Sequence, residues 1–216
     1  MPSRYQAWLK HVFDHPVKEP KWYLARDAFK FEASAIELIE LIGQTLLRAG
    51  KDLTKYSDAK VDQGIWYLAS SCGSNFMFAL AAKEVPVRKR VEAIESIFLL
   101  YSNCYAKRCA KTLGHLSEKG SPLNASCYMF WDLCLHPNLE NMLKRRETRQ
   151  SVLSVLKKTL GIEHRACREG ALHGLGHIAK IYPESVREII DGFLRRNKLD
   201  NKLLAYALKA REGKVL

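Results

Sequence analysis

The sequence predicts an all-α protein, and three features of its 216 residues support this fold class. Apolar residues recur every three or four positions in most segments, which is the period of an amphipathic helix. No segment shows the sustained alternation of apolar and polar residues that marks a half-buried strand. Proline and glycine are sparse, with 7 and 12 residues, and they stand mostly between the periodic segments. With 47% apolar residues, the chain can form one sizeable core or an elongated stack of small ones.

The stretch Cys167–Ile178 reads C-R-E-G-A-L-H-G-L-G-H-I and is the most informative part of the chain. It resembles the inner helix of a HEAT-like repeat, whose loose pattern is apolar, Arg, any, small, small, any, any, small, Leu, Gly, any, Ile. The residues that fit are Cys167, Arg168, Gly170, Ala171, Gly174, Leu175, Gly176 and Ile178. The resemblance implies stacked helical hairpins in a right-handed α-α superhelix, a HEAT/ARM-like solenoid. It leaves the chemistry open, because such scaffolds serve many functions.

Two further echoes of this motif suggest a repeat period. Ala207-Leu208 matches Gly174-Leu175 at an offset of 33 residues (208 − 175), within the range of helical repeats. Leu113-Gly114-His115-Leu116 resembles Leu175-Gly176-His177-Ile178 at an offset of 62 residues (175 − 113), or two units of 31. We therefore expect His115 and His177 in equivalent positions. The prediction is one domain over residues 1–216, with the clearer repeats in 86–216 and divergent repeats or a helical cap in 1–85.

The elements of the first 85 residues follow from caps and breakers. Ser3 is expected to cap a helix that reaches about Asp14, and Ser57 to start another, because serine favours the N-cap position. In chain order we predict helix Ser3–Asp14, a proline-containing loop over 15–21, a long helix ending near Gly50, a helix from Ser57 to a break at Cys72-Gly73-Ser74, and a short helix over 75–83.

The second part of the chain restarts at Val85-Pro86. The predicted helices are one after Pro86, then 105–118, 122–135, 139–160 with a break near Arg146, 184–196, and a last one in which Leu203, Leu204, Ala207 and Leu208 face inward. Pro183 suits a first helical turn, and the following Glu184 favours the positive helix start.

The cysteines and the absence of targeting signals predict a cytoplasmic protein. No run of about 18 apolar residues exists, and the N-terminal stretch lacks the apolar core of a signal peptide. Six cysteines in a chain of this length do not make a small disulfide scaffold. We expect buried, inert thiols at Cys72, Cys104, Cys109, Cys127, Cys134 and Cys167.

The charge distribution predicts an acidic partner. The formal net charge is +12, and residues 109–216 hold 19 Lys and Arg against 11 Asp and Glu, compared with 16 against 12 in residues 1–108. The densest basic patch is Lys144-Arg145-Arg146 with Arg149. A basic face favours nucleic acid, an anionic protein or an anionic lipid surface, although a merely solvated surface would have the same composition.

Within the repeat interpretation, one row of side chains should face the concave groove. Glu169, His173 and His177 are spaced by four residues and share one helix face. The 62-residue offset places Lys107, Lys111 and His115 in the equivalent row. These six residues are the predicted binding surface, and Cys167, Ala171, Leu175 and Ile178 are the predicted core positions of the same helix.

Metal and catalytic motifs are weak or missing. Two histidines at i and i+4 can share a zinc ion, but His173 and His177 enclose no glutamate, so H-E-x-x-H is absent and no metal ligands or cofactors are predicted. No phosphate loop and no nucleophile elbow is present. Phe130-Trp131-Asp132 is faintly similar to the Trp-Trp-Asp stretch of HEAT-like alkylpurine DNA glycosylases. That family's acidic residue would fall on Leu135 here, so the residues favour a plain core helix with Asp132 solvated.

The sequence therefore predicts a protein that acts by binding rather than by catalysis. The leading hypothesis is a scaffold that presents a basic concave helical surface to another protein. The alternative is a nucleic-acid-binding protein that uses the basic C-terminal half, including the case of a HEAT-like DNA-processing enzyme. The sequence does not specify an oligomeric state.

Overall fold

The computed structural model describes residues 3–26, 28–135 and 139–215, and within them the protein is all-helical, without a strand. The helices are α1 (Arg4–Phe13), α2 (Ala35–Leu47), α3 (Ala49–Asp52), α4 (Asp58–Ala69), α5 (Val87–Leu100), α6 (Ala106–Arg108), α7 (Asn124–Leu135), α8 (Leu139–Lys144), α9 (Arg146–Leu160), α10 (Arg165–Ala179), α11 (Pro183–Arg196) and α12 (Asn201–Arg211). Short 3-10 turns cover Trp22–Leu24, Phe76–Leu80 and Gly114–Leu116, and a π-helical turn, Tyr101–Tyr105, joins α5 to α6.

Serine caps start three helices in the N-terminal half. The side chains of Ser3, Ser34 and Ser57 each accept a hydrogen bond from the backbone N–H three residues later, at 3.2, 3.2 and 3.3 Å. These bonds satisfy backbone donors that the helix itself leaves unpaired. The predicted starts at Ser3 and Ser57 are confirmed.

Contacts between helices divide most of the chain into two layers. In the first layer α2 packs on α5 and α5 on α9, while in the second α4 packs on α7, α7 on α10 and α10 on α12. The layers are joined where α10 packs on α9 and α11. Helix α10 therefore lies at the centre of the C-terminal half, where the predicted core positions Cys167, Ala171, Leu175 and Ile178 are all buried.

Two glycines set the register between α7 and α10. A Cβ on Gly170 would collide with the carbonyl oxygen of Cys127, and one on Gly174 would lie 2.7 Å from Cγ of Trp131. Because both pairs advance by four residues, the two helices run in the same direction. The register between these neighbouring helices is thus 43 residues (170 − 127), and not a multiple of 31.

The 62-residue echo is wrong as a structural equivalence. The helix that begins at Val87 continues through the π-helical turn to Arg108, and no helix covers the predicted range 105–118 beyond that point. His115 consequently lies in a 3-10 turn of the connection to α7, whereas His177 lies in the last turn of α10. The pattern Leu-Gly-His-Leu fits both a tight turn and a helix, so the match carried no positional information.

Three smaller predictions also need correction. The long helix ends at Leu47 and Gly50 lies inside α3, so Gly50 is not its C-cap. The predicted helix over 75–83 is only the 3-10 turn Phe76–Leu80. In α12 the buried side chains are Leu203, Tyr206, Ala207 and Ala210, whereas Leu204 and Leu208 are 37% and 48% exposed.

The cysteines are free thiols, and most of them are buried as predicted. Cys104, Cys127, Cys134 and Cys167 are buried, Cys109 is half-buried, and Cys72 is exposed on the turn after α4. Burial raises the pKa of the Cys104 thiol to about 11 and that of Cys134 to about 12, because a thiolate is poorly solvated among apolar side chains. Neither thiol is therefore a reactive thiolate near neutral pH.

No helix in the described part of the chain is long and apolar enough to cross a lipid bilayer.

An aromatic cluster at the N-terminal end surrounds His11. Its Nε2 lies 2.9 Å from the hydroxyl oxygen of Tyr67, and the rings of Trp22 and Phe31 stand 5.4 Å from its ring centre. Burial lowers the pKa of His11 from 6.5 to about 4, and the positive charge of nearby His15 lowers it further. The folded protein therefore keeps this imidazole neutral over a pH range in which the unfolded chain protonates it.

We expect His11 to make the protein less stable in mild acid. Between pH 6.5 and 4 the unfolded state binds the proton and the folded state does not, so the free energy of unfolding falls as pH falls. Because the ring is only half-buried, we expect a loss of about 1 kcal/mol between pH 7 and 5 from this residue. Urea titrations at both pH values measure it. The loss should shrink by that amount in His11→Gln and stay in the control His15→Gln; identical losses in wild type and His11→Gln would contradict the assignment.

Candidate functional site

A cluster of histidine, aspartate and tyrosine side chains lies where α7, α10 and α12 meet. His173 and His177 come from successive turns of α10, and their Nε2 atoms are 3.2 Å apart. Asp132 of α7 brings its Oδ1 to 3.3 Å from the Nε2 of His177. One ligand atom from each of these three residues lies within 4.8 Å of the other two. We call Asp132, His173 and His177 the histidine cluster.

The tight contact between α7 and α10 brings Asp132 to the two histidines. Trp131, the residue before it, packs against Gly174, which stands between His173 and His177 on α10. Any larger residue at Gly174 would push α7 away and take the carboxylate with it. The sequence thus places a glycine at the point where the backbones must approach.

Two tyrosines hold the inner histidine. The Nδ1 of His173 is 2.8 Å from the hydroxyl oxygen of Tyr206 on α12, and that oxygen is 3.2 Å from the hydroxyl of Tyr128 on α7. The ring of Tyr128 also contacts the ring of His173, at a centroid distance of 4.5 Å. These contacts fix the ring of His173 with its Nε2 turned toward His177 and Asp132.

Burial controls the protonation of this cluster. His173 is fully buried, and the loss of solvation lowers its pKa to about 3, with His177 and His115 adding repulsion. Burial also raises the pKa of Tyr206, helped by its hydrogen bond with Tyr128. At neutral pH His173 is therefore a neutral imidazole and Tyr206 a neutral phenol. Neutral imidazole nitrogen is a good metal ligand and hydrogen-bond partner.

Glu169, one turn before His173, is not part of a surface. Its side chain is fully buried, and its two carboxylate oxygens accept hydrogen bonds from the backbone N–H groups of Gly114 and His115 at 2.7 and 3.0 Å. The Nδ1–H of His115 donates to the same carboxylate at 2.5 Å. The His115 ring stacks on Tyr206 at 4.1 Å. Glu169 thus anchors the connection between α6 and α7 and supports the histidine cluster from behind.

The six predicted concave-face residues therefore do not form two equivalent rows. Glu169 and His173 are buried, His115 and His177 are half-buried, and Lys107 and Lys111 are exposed. Lys107 is in the short helix α6, whereas Lys111 follows it in the irregular connection to α7. What the structure brings together is His115 and Glu169, which the sequence had placed in different rows of one surface.

The predicted basic patch divides into an exposed part and a structural part. Lys144, Arg145 and Arg146 are exposed at the junction of α8 and α9. Arg149 is half-buried: its guanidinium donates to the carbonyl oxygen of Leu143 at 3.1 Å and lies over the ring of Tyr182 at 4.8 Å. Arg149 therefore fastens the start of α9 to the start of α11.

Sequence reasoning identified the two histidines but missed their partners. Asp132 was expected to be solvated, and it is half-buried with its oxygen on His177. The carboxylate that had been considered with the histidines was Glu169, which faces His115 instead. Tyr128 and Tyr206 were not considered at all. Only the register between α7, α10 and α12 reveals these partners.

No protein-family model, curated protein or solved structure matches this chain.

Proposed function

We propose that the protein acts by binding, as a HEAT-like solenoid that presents a basic helical surface to an acidic protein. The resemblance of Cys167–Ile178 to a HEAT-like inner helix is one support. The arrangement of helices is another, because like helices of a solenoid stack in parallel. Helices α7 and α10 run in the same direction, and so do α10 and α12, where Arg165 contacts Asp200 and His173 contacts Tyr206. The last pair keeps the 33-residue offset (206 − 173).

The observation that carries the proposal is the uncompensated positive charge of α9. Lys144, Arg145 and Arg146 are exposed at its start, and Lys157 and Lys158 are exposed in its last turn. Among the residues that the structure describes, none of these five side chains makes an ion pair, and Glu147 is the acidic residue in the first turn of the helix. Residues 146 and 157 are about 17 Å apart along a helix axis that rises about 1.5 Å per residue.

The rest of the same layer differs in charge. On α5, which packs against α9, Arg88 is paired with Glu92 and Lys89 with Glu40 of α2. Positive charge is therefore neutralised on α2 and α5 and left open on α9. Unpaired charge on a rigid surface attracts a partner of the opposite sign and speeds its association.

The exposed side of α9 favours a protein over single-stranded nucleic acid. It presents Arg146, Gln150, Lys157 and Lys158 and carries no aromatic side chain on which a base could stack. Phosphate contacts to a duplex need no aromatic residue, so duplex binding remains the alternative to be tested.

We expect a charge reversal at the start of α9 to abolish partner capture. The test variant is Lys144→Glu, Arg145→Glu, Arg146→Glu, and the matched control reverses three exposed lysines elsewhere, Lys10, Lys18 and Lys30. Immobilised wild type, variant and control are compared in native lysate, with and without nuclease. An acidic protein retained by wild type and control after nuclease, and lost by the variant, supports the proposal. Equal capture by variant and wild type would show that α9 is not the binding surface.

The nucleic-acid alternative makes its own expected result. If phosphates are the partner, the affinity for duplex DNA should fall with salt with a log–log slope of about −0.9 per phosphate neutralised. The triple variant should flatten that slope to a similar extent for different sequences, because lysine and arginine contacts to phosphate carry little base information. Anisotropy titrations at two salt concentrations measure it. No binding to duplex or single strands at low salt eliminates the alternative.

A further inference from the structure

The histidine cluster has the donor set of a transition-metal site. Two imidazole nitrogens and one carboxylate oxygen converge from α10 and α7, and all three ligand atoms lie within 4.8 Å of one another. Imidazole and carboxylate are common ligands of divalent zinc, and the spacing of four residues places both histidines on one side of α10.

The distances fit an ion shared by these atoms. Zinc binds histidine nitrogen at about 2.0–2.1 Å and carboxylate oxygen at about 2.0–2.2 Å, so two ligands in a tetrahedral site are about 3.4 Å apart. The two Nε2 atoms of His173 and His177 are 3.2 Å apart, and Nε2 of His177 is 3.3 Å from Oδ1 of Asp132. The ligand atoms therefore stand close to the separation that a tetrahedral ion requires.

Hydrogen bonding alone serves this arrangement poorly. The Nε2 of a neutral imidazole carries either one hydrogen or one lone pair, and that of His177 faces both the nitrogen of His173 and the oxygen of Asp132. With a lone pair, it faces the acceptor-only carboxylate without a proton between them. With a hydrogen, it must divide that hydrogen between two acceptors. A cation lets all three atoms direct a lone pair at the same point.

The surroundings of His173 match those of a metal ligand. A ligating histidine usually engages its second nitrogen with an outer partner, which fixes the orientation of the ring. The Nδ1 of His173 has such a partner in the hydroxyl of Tyr206, which is itself hydrogen-bonded to Tyr128. The side chains of His177 and Asp132 are 18% and 27% exposed, so the cluster is open to solvent on that side.

We propose that Asp132, His173 and His177 bind one divalent zinc-class metal ion, with a fourth coordination position directed to solvent. Three protein ligands and one open position are the pattern of zinc sites that bind an exchangeable group, whereas closed structural sites use four protein ligands. The site is distinct from the basic surface of α9, and its test does not depend on that surface.

The test uses the full chain, freed of metal by a chelator and titrated with Zn²⁺ by calorimetry and with Co²⁺ by absorption spectroscopy. Wild type should bind one equivalent and give the visible ligand-field bands of cobalt in a low-coordinate site. His177→Gln and Asp132→Asn should weaken Zn²⁺ binding by ~100-fold or more, beyond the ~10–100-fold expected for Tyr206→Phe, which removes only an outer partner. Zn²⁺ should also raise the melting temperature of wild type and leave that of His177→Gln unchanged.

The controls separate this site from other ligands in the chain. His15→Gln and Asp14→Asn remove the same residue types at the N-terminal end and should leave binding at the wild-type level. An intense near-ultraviolet thiolate-to-cobalt band would place the metal on cysteine and overturn the proposal. So would absence of binding by folded wild type, or equal affinity in wild type and His177→Gln.

Discussion

Replacing Glu169 with alanine is expected to lower the free energy of unfolding by about 3–5 kcal/mol, the cost of breaking a buried polar contact by removing one partner. The carboxylate is fully buried and accepts hydrogen bonds from the backbone of Gly114 and His115 and from the His115 ring. Without it, these donors lose their acceptor, and the connection between α6 and α7 loses its anchor on α10. A donor left unpaired in the protein interior loses its solvation without compensation.

Urea titrations of three variants test this role. Glu169→Gln keeps one acceptor oxygen and should be intermediate, because its amide nitrogen cannot accept the second backbone hydrogen bond. The control Glu188→Ala removes an exposed glutamate from α11 and should change stability by less than about 0.5 kcal/mol. If Glu169→Ala were no more destabilised than Glu188→Ala, the carboxylate would not hold the connection.

Local chemistry in the sequence was sufficient to predict most helices. The caps at Ser3 and Ser57, the restart at Pro86 and the break near Arg146 all correspond to helix boundaries. Each of these signals acts through backbone hydrogen bonds or backbone angles within a few residues, so no knowledge of tertiary contacts is needed to interpret it.

Tertiary contacts decide the segment between α6 and α7, and there the sequence prediction was wrong. Residues 109–123 contain Leu113 and Leu116 at helical spacing, yet only a 3-10 turn forms. The connection is held by side chains from other elements: Glu169 binds Gly114 and His115, and Asn124 bonds both the N–H and the carbonyl oxygen of Ala110. A buried carboxylate that is 55 positions away along the chain cannot be inferred from local periodicity.

The histidine cluster was only half visible in the sequence for a related reason. His173 and His177 could be paired, because four residues make about one turn of the same helix. Asp132 joins them only through the 43-residue register of α7 on α10, and Tyr206 only through the 33-residue offset of α12. A period of 31 would have placed neither residue there. The error in the repeat phase and the omission of Asp132 therefore have one cause.

Leu175→Ala is expected to lower the free energy of unfolding by about 2–5 kcal/mol, because it leaves a cavity that the surrounding helices fill only partly. Leu175 is fully buried on α10, the helix that contacts α7, α9, α11 and α12. Leu208, its equivalent at the 33-residue offset, is 48% exposed on α12. The sequence pattern treats the two leucines alike, whereas the structure gives them different surroundings.

Leu208→Ala is therefore the matched control, with the same change of side chain at the corresponding repeat position. Because α12 has no following helix packed on its outer side among the described residues, truncating Leu208 removes little buried area. We expect a change within about 0.5 kcal/mol. Urea titrations of both variants give the comparison. Equal losses would mean that Leu208 is covered in solution, either by more of this fold or by a second copy of the chain, and that α12 does not end the stack of helices.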